Sequence, residues 1–249
     1  MKPLIIANCK MNFSLKEADE YCINLTDKKF KNQLIISFPV PYMAYLADKF
    51  KTLAFCAQNI SIFDSFGAYT GEYSSLMVKS CGINYSIIGH SERRNLFDES
   101  EEVVLQKVIN CLKLSITPII CIGESLKIRQ NGTYREFVNK QLYPIIDVMR
   151  STRNKEKIDV IIAYEPIWSI GTGLTPSVSE LVETFALISS LLKQSAVAFN
   201  IRLVYGGSID LDNIKQIMAL ENIDGVLVGK ASLNYDTVIK MLELVEEHV

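Results

Sequence analysis

Short apolar runs recur along the chain and alternate with longer segments whose apolar residues have helical spacing. Runs of this kind predict buried strands, and helical spacing predicts helices with one buried face. The predicted strands are Leu4–Ala7, Leu34–Phe38, Leu53–Ala57, Ser86–Gly89, Pro118–Ile122, Val160–Tyr164, Arg202–Tyr205 and Val226–Val228. The main predicted helices are Leu15–Leu25, Glu101–Leu114, Tyr134–Arg150, Val178–Phe199, Leu211–Leu220 and Tyr235–Glu247.

This alternation predicts an α/β fold. Strands that are apolar on both faces belong to parallel sheets covered by helices. Eight strand–helix repeats in 249 residues favour a closed (β/α)8 barrel over an open sheet, because barrels of this length form one domain. No linker or change of composition divides the chain, so we expect a single domain spanning residues 1–249.

Polar and glycine-rich clusters follow several of the predicted strands. They are NCKMN, GHSERR, CIGE, YEP, YGGS and GKAS, after strands one, four, five, six, seven and eight. Active sites of such barrels lie at the carboxyl ends of the strands. We therefore expect these side chains to meet at one rim.

The segment AYEPIWSIGTG, residues 163–173, is the most informative of these clusters. It presents the carboxylate of Glu165 at the end of a buried strand, fixes the backbone with Pro166, and closes on glycines that allow a hinge. A rigid carboxylate beside a closable lid suits the removal of a proton from carbon. The simpler interpretation is a surface acid followed by a turn.

Two further strand ends carry candidate catalytic groups. Asn8 and Lys10 are two residues apart, so both can face the same side, where an ammonium would stabilise an anionic intermediate. Alone, Lys10 also fits a solvated surface lysine. His90 precedes a predicted helix, whose partial positive charge favours a neutral imidazole that can exchange a proton with a carbonyl oxygen. A capping histidine is the alternative.

The turns after strands seven and eight are candidates for phosphate binding. Ser208 lies in the first turn, Gly229 and Lys230 lie in the second, and Gly171 follows strand six. Exposed backbone N–H groups at such turns bind phosphate, and this part of a barrel is a frequent phosphate site. Each turn alone is a weak signal, but their neighbouring positions favour a phosphate-binding cup.

Composition excludes several classes of function. Charge is balanced, with 26 basic and 28 acidic residues, and no basic tract indicates nucleic-acid binding. The six cysteines lack metal-ligand spacing and there are only two histidines, so we expect no zinc site. The apolar stretch at the start of the sequence is too short for a signal peptide, and no apolar run is long enough to span a membrane. Several cysteines lie inside apolar runs, as core thiols do, so we expect a reducing cytoplasm.

The motifs together resemble the triosephosphate isomerase family over essentially the whole chain. The matching stretches are NCKMN, QNIS, GAYTGE, GHSERR, CIGE, AYEPIWSIGTG, YGGSI and LVGKASL, in the family's order. The resemblance implies a TIM barrel that interconverts dihydroxyacetone phosphate and D-glyceraldehyde 3-phosphate in glycolysis and gluconeogenesis, without cofactor or metal.

The resemblance also implies a role for each candidate residue. Glu165 would be the general base and His90 the electrophile and proton shuttle. Lys10 and Asn8 would hold the substrate, with Glu92 as a supporting acid near Lys10. Backbone amides that bind phosphate would come from Gly171, Ser208, Gly229 and Lys230.

A homodimer is implied as well. The loop from Gln58 to Glu72 would insert into a second copy, with Thr70 reaching the neighbouring active site. This loop carries apolar residues that would be a liability on a monomer: Ile60, Ile62, Phe63, Phe66 and Tyr69.

Three positions depart from the family pattern. Cys9 stands where tryptophan is usual, so we expect compensating packing; Ser169 replaces a common alanine in the lid. Lys230 replaces a frequent glycine, which predicts a negative φ at that position.

Two other functions remain open from the residues. A sugar-phosphate aldolase would use Lys10 as a Schiff-base amine, although such lysines need an apolar pocket or a second cation. A catalytically inactive barrel would serve as a binding scaffold, which the joint presence of Glu165, His90 and Lys10 disfavours.

Overall fold

The computed structural model describes residues 2–26, 28–30, 33–152, 159–170, 174–195 and 199–246. Its strands pair in parallel with their neighbours in chain order, and the last pairs with the first to close a barrel. They are β1 (Leu4–Asn8), β2 (Gln33–Ser37), β3 (Ala54–Ala57), β4 (Tyr85–Ile88), β5 (Thr117–Ile122), β6 (Asp159–Tyr164), β7 (Asn200–Tyr205) and β8 (Gly225–Val228). The predicted (β/α)8 fold class is confirmed.

Helices surround the barrel. They are α1 (Leu15–Thr26), α2 (Val40–Lys49), α3 (Ser75–Ser80), α4 (Ser91–Leu96), α5 (Glu101–Lys113), α6 (Leu126–Gln130), α7 (Tyr134–Ser151), α8 (Val178–Gln194), α9 (Ile214–Met218) and α10 (Tyr235–Glu246). Within the described residues, no helix is both long and apolar enough to cross a membrane.

Each strand contributes to two layers of the core because its side chains alternate in direction. In β1, Leu4 and Ile6 face the barrel interior, whereas Ile5 and Ala7 face the helices. All four are completely buried. This two-sided burial explains why Leu4–Ala7 is apolar at every position, which is the pattern that predicts the strand.

Two predicted helices are shorter in the structure. The segment predicted to be helical over Val178–Phe199 ends as α8 at Gln194, and residues 196–198 lie outside the described part. The segment Leu211–Leu220 contains only the short α9. There the Asp210 carboxylate accepts hydrogen bonds from the N–H groups of Asp212 and Asn213, each 3.0 Å long, so the chain turns before the helix begins.

Candidate active site

A cleft of about 770 Å³ opens at the carboxyl ends of the strands. Its walls bring together most of the candidate residues, which come from the ends of five different strands: Asn8, Lys10, His90, Glu165, Ser208, Gly229 and Lys230. Glu92 reaches the site through its contact with Lys10. Gly171 lies outside the described residues, and Thr70 is exposed and does not line this cleft.

Glu165 is held firmly at the end of β6. Its backbone N–H donates to the carbonyl oxygen of Ile122 at 2.7 Å, which ties it to β5. Two glycines leave room for it. A Cβ at Gly123 would lie 1.8 Å from the Glu165 carbonyl oxygen, and one at Gly206 would lie 2.9 Å from Glu165 Cγ. The position of this carboxylate therefore depends on the absence of two side chains.

The buried carboxylate of Glu165 contacts two groups from the β4 end of the barrel. Its Oε1 lies 3.2 Å from His90 Nε2, and its Oε2 accepts a hydrogen bond of 3.1 Å from the Ser91 N–H. The described residues therefore place an acid–base pair inside the cleft, with one oxygen of the carboxylate directed at the imidazole.

His90 combines the two roles considered for it. It is the N-cap of α4, and its Nδ1 accepts a hydrogen bond of 3.2 Å from the Glu92 N–H. Because an accepting Nδ1 carries no proton, the hydrogen-bond network assigns the proton of the neutral ring to Nε2. Nε2 faces the cleft. The capping contact thus sets the tautomer that can donate to a substrate oxygen.

Lys10 points into the cleft because of an unusual backbone conformation. β1 ends at Asn8, and Lys10 has a φ of 50°. The Asn8 side chain accepts from the Lys10 N–H at 3.0 Å, and Gln58 Nε2 donates to the Lys10 carbonyl oxygen at 2.8 Å. Strand alternation was therefore the wrong reason for the shared direction of Asn8 and Lys10. A left-handed turn held by side chains is the actual cause.

The ammonium of Lys10 is paired with Glu92, with Nζ 2.6 Å from Oε1. Gly229 permits the lysine stem to pass, since a Cβ there would lie 3.3 Å from Lys10 Cε. Gln58 was not singled out from the sequence as a site residue, although it lies in the QNIS motif. No periodicity or charge pattern marks it, because its role is a hydrogen bond to a distant backbone carbonyl.

One side of the cleft, at the carboxyl ends of β7 and β8, is lined by backbone N–H groups that have no hydrogen-bond acceptor among the described residues. Among the described residues, no acceptor lies within hydrogen-bond distance of the N–H groups of Ser208, Gly229 or Lys230. The hydroxyl of Ser208 donates to the Ser169 carbonyl oxygen at 2.5 Å, which connects the β7 turn to the segment after Glu165. Free N–H groups converging on one cleft can bind an anion.

Comparison with known proteins identifies the family. The profile of the family described as Triosephosphate isomerase matches residues 3–245. The triosephosphate isomerase of Orientia tsutsugamushi (strain Boryong) is 38% identical over 255 residues, covering 99% of both chains. That of Francisella tularensis subsp. mediasiatica (strain FSC147) is 39% identical over 239 residues, covering 94% of this chain and 93% of the relative.

The chain belongs to the triosephosphate isomerase family. It is therefore an isomerase with a TIM barrel, as the sequence motifs predicted, and nothing in the comparisons favours the aldolase. Among the described residues, no group of three or more histidine, cysteine or acidic side chains is placed to hold a metal.

Two of the departures from the triosephosphate isomerase pattern are explained by the structure. Cys9 is completely buried, and the rings of Phe13, Tyr21 and Phe38 pack edge to face nearby with centroids 5.4–5.6 Å apart. Burial raises the pKa of the Cys9 thiol to about 12, so the thiol stays protonated and unreactive at neutral pH. Lys230 begins a single 3-10 turn and is not among the described residues with positive φ, which confirms the prediction for its backbone.

Proposed function

We propose that this member of the triosephosphate isomerase family interconverts dihydroxyacetone phosphate and D-glyceraldehyde 3-phosphate, with Glu165 as the base that moves the proton between carbons. The observation that carries the assignment is the pairing of the buried Glu165 carboxylate with His90 Nε2 at 3.2 Å, inside the cleft that also holds Lys10. A carboxylate and a neutral imidazole side by side suit proton transfer at carbon and oxygen respectively.

In the first step, a carboxylate oxygen of Glu165 takes a proton from C1 of dihydroxyacetone phosphate. The electron pair of the C–H bond forms a C1–C2 double bond, and the C2 carbonyl oxygen gains negative charge. To reach the substrate, the carboxylate gives up its contacts with the Ser91 N–H and His90. His90 Nε2–H then donates to the developing oxyanion in place of Glu165.

In the second step, the proton on Glu165 returns to C2. His90 passes a proton between the two substrate oxygens, so that C1 becomes the aldehyde carbon and C2 carries the hydroxyl. The Lys10 ammonium stabilises the negative charge of the enediolate in both directions. Asn8 orients Lys10 through its hydrogen bond of 3.0 Å, and Glu92 holds the ammonium at 2.6 Å.

The substrate phosphate binds at the free N–H groups of Ser208, Gly229 and Lys230, and the N–H of Gly171, which lies outside the described residues, is assigned to the same phosphate. We assign the lid to residues 166–173, of which 171–173 lie outside the described part. Closure matters because an enediolate exposed to water would lose its phosphate. The hydrogen bond from Ser208 to the Ser169 carbonyl oxygen joins the lid segment to the phosphate side.

The active form is a homodimer in this proposal. Phe66 and Tyr69 in the loop from Gln58 to Glu72 are 70% and 41% exposed in the single chain, and Phe97, directly after α4, is 63% exposed. Ile60 is an exception to the expected apolar surface, because it is buried in the core of its own chain. A second copy would cover the exposed side chains and bring Thr70 to its active site.

The remaining assignments follow from the same proposal. The chain works as a single domain over residues 1–249, in the cytoplasm, in glycolysis and gluconeogenesis. It uses no cofactor and binds neither nucleic acid nor membrane. Lys10 acts through its charge and forms no Schiff base, so borohydride in the presence of triose phosphate would trap no adduct.

A coupled isomerase assay of the wild type and Glu165→Gln tests the proposal. Loss of the carboxylate should lower kcat by roughly 10³-fold or more, because the base takes part in both proton transfers at carbon. Calorimetric binding of inorganic phosphate should change little, since the cup is intact. Glu243→Gln, at an exposed position of α10, is the matched control and should keep full activity. Equal rates for Glu165→Gln and the wild type would overturn the assignment of the base.

A further inference from the structure

Lys230 adds a positive charge to the phosphate side of the cleft. It is exposed and lines the cleft together with Ser208 and Gly229. Within the described residues, no carboxylate lies within ion-pair distance of its ammonium. Lys10 differs in this respect, because Glu92 holds its ammonium at 2.6 Å. The Lys230 ammonium therefore has no carboxylate partner among the described residues and is available to a ligand.

The other charges that line the cleft give the Lys230 ammonium a specific task. Asp210 and Asp212 also line the cleft, and both are exposed. Asp210 accepts two backbone N–H groups through Oδ1, but both aspartates keep their negative charge. These two charges oppose the binding of a phosphate dianion in the same cleft. Lys230 offsets this repulsion.

We propose that the Lys230 ammonium binds the substrate phosphate directly and selects phosphorylated substrates, in addition to the contact made by its backbone N–H. The proposal rests on the function assigned above and deepens its phosphate site. A lysine suits this position because its flexible stem carries a compact charge with three donors, which can follow a dianion into the cup. The resemblance to the family implied only a backbone role, since the position is frequently glycine.

The expected effect is moderate and depends on salt. An exposed ion pair is partly screened by water, so loss of the ammonium should raise KM by roughly three- to fivefold at low ionic strength. Screening at about 0.5 M salt should remove most of the difference between the wild type and the variant. The ammonium acts on the phosphate and not on the reacting carbons. Its removal should therefore lower kcat/KM and leave kcat unchanged.

Steady-state kinetics of Lys230→Gln, Lys230→Arg and the wild type test this inference. Lys230→Gln should raise KM for triose phosphate and the inhibition constant of inorganic phosphate by the same factor. Lys230→Arg should restore both, because the charge returns. Lys240→Gln, at an exposed position of α10, is the control for a general loss of charge and should match the wild type.

A substrate without phosphate distinguishes the loss of the Lys230 charge from a structural change in the variant. With glyceraldehyde, the wild type and Lys230→Gln should have equal kcat/KM, because there is no dianion to bind. Equal KM values for triose phosphate at low salt, or an equal loss with glyceraldehyde, would overturn the proposal. Failure of the assigned function would be distinguishable, because the wild type would then lack isomerase activity while its calorimetric affinity for inorganic phosphate still reported on Lys230.

Discussion

His90 illustrates how a single residue can serve both fold and chemistry. Its Nδ1 caps α4 by accepting from the Glu92 N–H, and the same contact directs the Nε2 proton into the cleft. Structural and catalytic interpretations of such a histidine are therefore compatible, and they can be separated only by a variant that keeps one role and loses the other.

The substitution His90→Asn makes this separation. An asparagine oxygen can accept the Glu92 N–H as an N-cap, but it offers no ring nitrogen to exchange protons with the substrate. We expect the melting temperature of His90→Asn to stay close to that of the wild type, with kcat lowered by about 10²- to 10⁴-fold. His90→Ala should lose both the helix cap and the proton exchange, and the loss of the cap should lower the free energy of unfolding by about 1 kcal/mol. Wild-type turnover by His90→Asn would exclude the imidazole as proton shuttle.

The chemistry-bearing residues were predictable from sequence because their types are unusual at strand ends. Glu165, His90 and Lys10 follow apolar runs and all three line the cleft. The supporting residues were less visible. The positive φ of Lys10 and the bond from Gln58 to its carbonyl depend on which backbones meet in space, and no local pattern encodes that.

At the level of elements, the strands were predicted more accurately than the helices. A strand segment buried on both faces is apolar at consecutive positions, so Leu4–Ala7 of β1 and Val160–Tyr164 of β6 stand out in the sequence. Short surface helices leave a weaker signal. α2 was not predicted: it carries Pro41 in its first turn, where a missing N–H costs no helical hydrogen bond, and it buries only Met43 and Leu46. The helix predicted at the position of α9 was too long, because the turn capped by Asp210 leaves no trace in the periodicity of apolar residues.

The junction of β5, β6 and β7 yields a prediction about Glu165. Gly206→Ala would place a Cβ 2.9 Å from Glu165 Cγ, and the side chain can relieve this contact only by moving. We expect a folded protein whose kcat is lowered by roughly 10- to 100-fold, because a small displacement of a base is costly. Steady-state kinetics with a circular dichroism melting curve measure both quantities. Unchanged kcat would show that Glu165 is not confined by Gly206.

Gly123→Ala serves as the contrasting variant. Its Cβ would lie 1.8 Å from the Glu165 carbonyl oxygen, and backbone cannot move aside as a side chain does. This substitution should lower the free energy of unfolding by at least about 1–3 kcal/mol, the usual cost of overpacking. A melting temperature equal to that of Gly206→Ala would contradict this distinction between side-chain and backbone contacts.

At the scale of the whole molecule, the exposed loop predicts association of two copies. Phe66→Asp should convert a dimer into monomers in sedimentation experiments, and kcat should fall because Thr70 no longer reaches a second site. Ile23→Asp is the control, since Ile23 is 52% exposed on α1, outside the loop. A monomeric wild type with full activity would exclude the dimer as the active form.

The buried thiols predict how stability depends on alkaline pH. Burial raises the pKa of Cys22 from 9.0 to about 12, so its contribution to stability is complete below pH 9 and is lost as pH rises toward 12. In that interval the unfolded thiol is ionised and the folded thiol is not. Each such group should lower the free energy of unfolding by about 1.4 kcal/mol per pH unit.

Urea unfolding between pH 9 and 10.5 measures this slope. Cys22→Ala removes one titrating thiol of α1 that does not line the cleft, so its slope should be shallower than that of the wild type by about 1.4 kcal/mol per pH unit. The absolute stability of the variant does not matter to the comparison. Identical slopes would mean that the folded environment leaves this thiol free to ionise.

The central claim is that Glu165 carries a proton between two carbons of a triose phosphate, and isomerisation in D₂O tests it most directly. Followed by NMR, the wild type should convert dihydroxyacetone phosphate into product of which a part carries solvent deuterium at C2, because a proton held on a carboxylate can exchange with solvent before it returns. Glu165→Gln should slow both isomerisation and deuterium uptake by roughly 10³-fold or more. Isomerisation or deuterium incorporation by Glu165→Gln at the wild-type rate would contradict the account.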